Sequence, residues 1–296
     1  LQLQTRSGLG ITLALLGGLL ISIDIPVIRL SESDPWFYMV ARGLGLTLVL
    51  GLAVKFGSRF TETPKNPFND RDFVEIGILY GISSIFFTLS VFNTSTSNLV
   101  FILAFNPMLA ALFAWWFIGE KPSRVTWIAI FATITGVVII VSDGIESGNF
   151  FGDFTSLVTA AVLALSLVRT RKTGKDLSLS GSVGGLLSAL FALPLALSFS
   201  SFPGAPGWVL LNALVLVPIA GFCLTLAPRY IPAPQVAIFF LLETVLAPIW
   251  VWLIFSEIPS QNTLIGGLIV LLAIAGHSFW QLKEGSNTNI KQQIEV

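Results

Sequence analysis

FNPMLAALFAWWFIGEKPS, residues 105–123, returns 137 positions later as LETVLAPIWVWLIFSEIPS, residues 242–260. In that register Leu109 falls on Leu246, Trp115 on Trp252, Glu120 on Glu257, Pro122 on Pro259 and Ser123 on Ser260. Asn106 falls on Glu243, a carboxylate in the middle of an apolar and aromatic run. A shift of 142 at the start of each half pairs Gly10 with Gly152, Arg29 with Arg171, Asp34 with Asp176 and Gly43 with Gly185. The matches keep their order along the chain, which is the mark of a duplicated unit rather than of two similar helices.

The medium follows from composition. Of 296 residues 54% are hydrophobic and only 11% charged, with a mean hydropathy of +0.85. A soluble domain carries about 25% charged residues. Stretches such as 8–23, 99–119 and 236–242 hold no charge at all, and lipid is the solvent that tolerates them. The stretch 8–30 is too long for a signal-peptide core and contains Asp24, so it reads as a first span. With about 17–25 apolar residues per helix, the pattern predicts ten spans near 8–30, 36–56, 73–92, 97–118, 125–142, 153–170, 179–199, 207–228, 233–255 and 262–281. Pro218, Pro228, Pro232 and Pro234 interrupt the eighth and ninth.

Charge sets the expected orientation. With the N-terminus inside, every Lys and Arg except Arg29 and Arg42 falls on the cytoplasmic side. An even number of spans with both termini inside is therefore expected. Five spans per half is odd, so the second half enters the bilayer from the opposite side, as an inverted repeat about an axis in the membrane plane. The expected division is a five-helix repeat over 1–146, a second over 147–284 and a polar cytoplasmic tail over 285–296.

Polar residues inside such a protein are costly, and this points to their role. Glu243 lies about mid-bilayer, where a charge costs at least about 2.5 kcal/mol unless it faces protein or water. It is a candidate for proton coupling or for contact with a cationic substrate group. The alternative is a carboxylate that only fixes helix packing. Asn106, its mate in the repeat, is a second candidate. Asp24 and Arg42 lie at equal depth, ~9 Å inside the outer boundary at the helical rise, and are expected to form an ion pair or an outer gate. Pro107 and Pro248 remove backbone donors within spans four and nine and predict kinks that line a cavity. Trp250 is a candidate wall, and Tyr80 in span three a weaker candidate. Trp115, Trp116 and Trp252 read as interface anchors or core, His277 as interfacial, and Cys223 as a small buried apolar residue.

Other functions lack their chemistry here. With one cysteine, one histidine and zero formal net charge, the sequence offers no disulfide, no metal-ligand cluster and no field for nucleic acid. It lacks a Gly-rich phosphate loop ending in Lys-Ser or Lys-Thr, and its intramembrane acids are scattered, so neither an ATP-driven pump nor an enzyme is expected, and no cofactor is implied.

The chain resembles the drug/metabolite transporter superfamily, and within it the EamA-type exporters. The motifs are PWFYMVARGLGL (35–46), NPMLAALFAWWFIGEKPS (106–123), LLETVLAPIWVWLIFSEIPS (241–260) and GGLIVLLAIAGHSF (266–279). Family members usually carry Pro where this chain has Thr244; Pro248, one turn later, is placed to supply a kink. The resemblance implies an all-α membrane protein of ten helices with a central cavity lined by spans one, three, four, six, eight and nine, alternating between the two faces of a cell membrane. It implies export of small metabolites such as amino acids. A passive channel or facilitator is the first alternative, and a phosphosugar or nucleotide-sugar antiporter the second, demoted because Arg42 alone could neutralise phosphate. The expected partners are a small-molecule substrate and the bilayer; a monomer suffices, with a homodimer as the alternative.

Overall fold

The computed structural model describes residues 2–56, 67–175, 177–227, 230 and 233–294. Asp176, Pro228, Arg229, Pro232 and the stretch 57–66 lie outside them, as do the side chains at both chain ends and most of those between 233 and 241. Every regular element among the described residues is helical. Besides two short 3-10 turns, Pro67–Asn69 and Ser178–Ser180, they are in chain order α1 (Gln2–Ser22), α2 (Asp24–Leu30), α3 (Pro35–Phe56), α4 (Arg71–Asn93), α5 (Thr96–Leu103), α6 (Asn106–Ile118), α7 (Arg124–Ser147), α8 (Phe150–Thr173), α9 (Gly181–Phe199), α10 (Pro206–Leu211), a π-helical stretch (Asn212–Leu216), α11 (Val217–Leu226), α12 (Ala233–Phe255) and α13 (Gln261–Ile294).

Nine helical stretches among the described residues are long and apolar enough to cross a membrane, counting α1 with α2, α5 with α6, and α10 with α11. In α12, Leu242–Phe255 is a shorter apolar helix. In lipid each backbone polar group must be satisfied within the chain, which is why an apolar sequence of this kind folds as helices. The outer surface is correspondingly apolar: Trp116, Phe131, Leu197 and Phe279 are all exposed. α13 runs on to Ile294, beyond the expected end of the tenth span, so the sequence expected to form a polar tail continues the helix.

Prolines place the breaks. Pro26 has no N–H to give the carbonyl four residues back, at Ser22, and α1 ends at Ser22. Pro107 likewise leaves the Leu103 carbonyl without its donor, and α5 ends at Leu103. Pro248 has the same effect on Thr244, yet α12 continues through it. Pro218 follows the π-helical stretch, in which the Val217 N–H reaches the Asn212 carbonyl one residue further back than in an α-helix.

The helix ends gather on two faces. The face where α1 begins, here the near face, joins α4 to α8 through Lys175 with Asp70 and Asp72. On the opposite, far face the Ala205 N–H donates to the Ser31 carbonyl at 3.1 Å and Ser200 donates to Asp34 at 2.6 Å. Between them α3 packs on α9, α4 on α8, and α7 on α13. Small residues allow the closest of these approaches: a Cβ built on Gly43 would lie 2.4 Å from the Gly185 carbonyl, and one on Gly136 2.6 Å from that of Gly266. One core cluster joins Ile25, Ile28, Tyr38, Leu99, Val209 and Ala247 from α2, α3, α5, α10 and α12. It frames the polar group described next.

Candidate functional site

Where α1 breaks into α2, the chain turns a charged residue inward. Asp24 opens α2 and is 2% exposed. Arg42, on α3, donates from one guanidinium nitrogen to both Asp24 oxygens at 3.0 Å. Tyr38 lies one helical turn before Arg42, hence on the same face, and its hydroxyl takes a bond from Arg42 at 3.2 Å. The π-helical stretch adds Asn212, whose amide nitrogen donates to Asp24 and whose amide oxygen accepts from Tyr38, both at 2.5 Å. Tyr38 and Asn212 are fully buried. The Phe87 ring of α4 lies 5.1 Å from the Arg42 guanidinium carbon, which adds a cation–π contact. Arg42 Nε is buried with no hydrogen-bond partner among the described residues.

Glu243 lies near the middle of α12, and its side chain is half-buried. Its neighbour Leu242 comes up to Gly18 on α1, and Trp250, two turns further on, donates to the Ser22 hydroxyl at 3.2 Å. Glu243 is close enough to Asp24 and Arg42 for their charges to act on it. Among the described residues it has no hydrogen bond or ion pair. Asp24 and Arg42 compensate each other, so Glu243 is the uncompensated acid of the group.

The other expected site residues are not gathered here. Asn106 donates to the Ala160 carbonyl of α8 at 2.9 Å and bonds α6 to α8. Tyr80 faces Ser166 and packs with Phe73, Ile76, Leu177 and Leu179 toward the near face. Trp115, Trp116 and Trp252 are exposed on the apolar surface. His277 is buried, 3.0 Å from the Thr126 hydroxyl, and ties α13 to α7. Cys223 is buried and unpaired. Tyr38, Phe87 and Asn212 escaped the reading of the sequence. The four-residue spacing of Tyr38 to Arg42 was the available signal; Asn212 had only its polarity within an apolar run.

A second buried acid, Asp153, lies toward the far face. It accepts from Thr94 at 2.5 Å and from the Asn98 amide at 3.2 Å, and Asn98 in turn accepts from Thr263 at 2.6 Å. This set fastens α4, α5, α8 and α13 together. Among the described residues no group of three or more His, Cys, Asp or Glu side chains could hold a metal ion.

Apolar helices around a buried polar cluster with one uncompensated acid define a multi-pass membrane protein. Residues 8–142, a little under half of the chain, match the EamA-like transporter family. It is 26% identical to mouse solute carrier family 35 member G1 over 74% of this chain and 65% of that one, and 31% identical to the human protein of that name over 58% and 52%. The chain thus spans half to two-thirds of the length of these relatives. It is 24% identical to the S-adenosylmethionine uptake transporter of Rickettsia bellii (strain RML369-C), over 76% of this chain and 77% of that one. The crystal structure of one protein shares the fold, with a TM-score of 0.63 at 16% identity over 92% of this chain and 96% of the other.

Proposed function

We propose that the chain is a secondary transporter of a small organic molecule, working by alternating access around Glu243 and the Asp24, Arg42, Tyr38 and Asn212 cluster. The observation that carries this reading is Glu243 itself. A half-buried carboxylate with no described partner, beside a pair whose charges already cancel, has a place for a proton or for a cationic group of a substrate. Trp250 flanks that place, and the interruption of α1 at Ser22, whose carbonyl Pro26 leaves without its helical donor, is of the kind found at transporter sites.

The proposed architecture is ten spans in two inverted halves, 1–146 and 147–284, in a cell membrane with the near face cytoplasmic. Supporting it are the order of the sequence matches, the basic residues of the near face and the packing of α3 on α9 and of α7 on α13. Gly43 and Gly185, paired by the sequence register, touch each other. Transport rather than catalysis is the activity proposed, and the relatives' names support a small solute. The resemblance implied export, whereas one relative is named for uptake; an alternating carrier runs in whichever direction the gradients drive it.

The test is reconstitution into liposomes with a metabolite panel under an imposed pH gradient. A panel member is expected to move, with counterflow separating a carrier from a passive pore. Glu243→Gln should abolish the gradient-driven component, whereas Glu243→Asp retains part of it. Equal flux by the parent and Glu243→Gln at every gradient would refute the role given to Glu243.

A further inference from the structure

Among the ion pairs that join the two halves of the chain, two correspond to each other in the repeat, one on each face; Arg169 with Glu75 and Lys175 with Asp70 and Asp72 also join the halves on the near face. On the far face Arg29 of α2 pairs with Glu257, just beyond α12. On the near face Arg171 of α8 pairs with Glu120, just beyond α6, at 3.0 Å. The sequence register places Arg29 on Arg171 and Glu120 on Glu257. Exchanging the two halves therefore turns one pair into the other. Nothing in the two sequence shifts, 142 and 137, requires these four side chains to meet in this crossed manner.

We propose that these pairs are reciprocal latches of the transport cycle, each holding one face shut while its counterpart yields. This rests on the alternating-access reading above, though not on the role of Glu243. The two pairs differ in how firmly they are made. Arg29 also donates to the Thr94 carbonyl at 3.2 Å, and Glu257 accepts from the Thr96 N–H at 3.2 Å. The far-face latch so binds α2, α12 and the α4–α5 turn at once, with side chains 23% and 26% exposed. The near-face latch is 67% and 45% exposed, and no further contact made by its two side chains is described.

That asymmetry is what a carrier with its far face closed should show. A partly buried, multiply bonded pair resists water, whereas an exposed pair is readily broken by it. In the opposite state the arrangement reverses: Arg29 parts from Glu257, and Arg171 with Glu120 becomes the enclosed pair. Arg29 and Glu257 are then positioning residues for the cycle, without contact with the substrate.

Distance measurements by pulsed electron resonance in lipid nanodiscs test this without any substrate. In a Cys223→Ser background, spin labels at Asn93→Cys and Ile258→Cys report on the far face, and at Lys121→Cys and Lys172→Cys on the near face. Glu257→Gln should lengthen the far-face distance by about 5 Å or more, the scale of a one-turn slip between packed elements, and shorten the near-face one. Glu120→Gln should do the reverse. Arg29→Gln should reproduce the Glu257→Gln shift, and the double variant should add nothing to it, as for two ends of one tether. Unchanged distances in the single variants, shifts of the same sign on the same face from Glu257→Gln and Glu120→Gln, or additive effects of Arg29→Gln and Glu257→Gln would each overturn the proposal. Because no flux is measured, a failure of the Glu243 account leaves this result standing.

Discussion

The Arg42 guanidinium and the Asp24 carboxylate are each too costly to keep alone at the depth where they lie. Together, with Tyr38 and Asn212 bonded to them, they form a set in which Arg42 Nε has no described partner. Removing one partner leaves the other charge uncompensated, so Arg42→Gln and Asp24→Asn should each lower stability by about 3–5 kcal/mol. The double variant should lose less than the two single losses combined, with a coupling of about 0.5–3 kcal/mol. Unfolding in detergent measures this, and strict additivity would contradict the pairing. On the near face, outside the membrane-spanning segments, the hydrogen bond from Lys175 holds the Asp70 carboxyl below the usual carboxylate range, and the same bond with that to Asp72 pushes Lys175 up. For Asp70 the contribution is present above its unfolded pKa, about 3.9, and is lost as pH falls through the lower folded value. For Lys175 it is present below about 10.4 and is lost as pH rises through the higher folded value. The difference in melting temperature between the parent and Lys175→Met should therefore be largest between those limits and shrink toward either end. A difference constant across pH would exclude the charge interaction as its source.

At the scale of elements, proline position and glycine contact decide the geometry. Pro26→Ala restores a donor for Ser22 and should join α1 to α2, moving Asp24 away from Arg42. Transport is expected to fall far more than the melting temperature, which flux and unfolding measured on one preparation would decide. Gly43→Ala places a methyl group 2.4 Å from the Gly185 carbonyl. It should cost about 1–3 kcal/mol, as overpacking does; a neutral effect would contradict the close packing of α3 on α9. The extent of most helices was legible because apolar length is a direct demand of the bilayer. Pro107 and Pro218 stood out in the sequence as points of interruption, while the break caused by Pro26 and the π-helical form of the stretch before Pro218 did not. Hydropathy counts residues, and a change of helical phase leaves that count untouched. Asn106 shows the consequence: it matches Glu243 in sequence, but the break before it turns its amide onto α8. Asn212, 17 residues from the nearest charged residue in sequence, Arg229, reaches Asp24 from the π-helical stretch.

For the whole molecule, order and parity in the sequence lead to the proposed repeat with an odd number of spans per half, whereas which polar residues meet depends on how the two proposed halves cross. The crossing brings Arg29 to Glu257 and Arg171 to Glu120, which a register of like with like does not announce. The proposed topology predicts that epitope tags at both termini are protected in intact cells and exposed on permeabilisation; one tag exposed in intact cells would contradict an even number of spans with both ends inside. The account depends most on Glu243 facing water or a passenger rather than oily neighbours. Its most direct test is labelling of a Glu243→Cys, Cys223→Ser protein in sealed, uniformly oriented vesicles with a membrane-impermeant thiol reagent. Reaction is predicted from one face at a time, with the reactive face switching when Glu257→Gln opens the far side; a thiol inert from both faces in every latch variant would contradict the account.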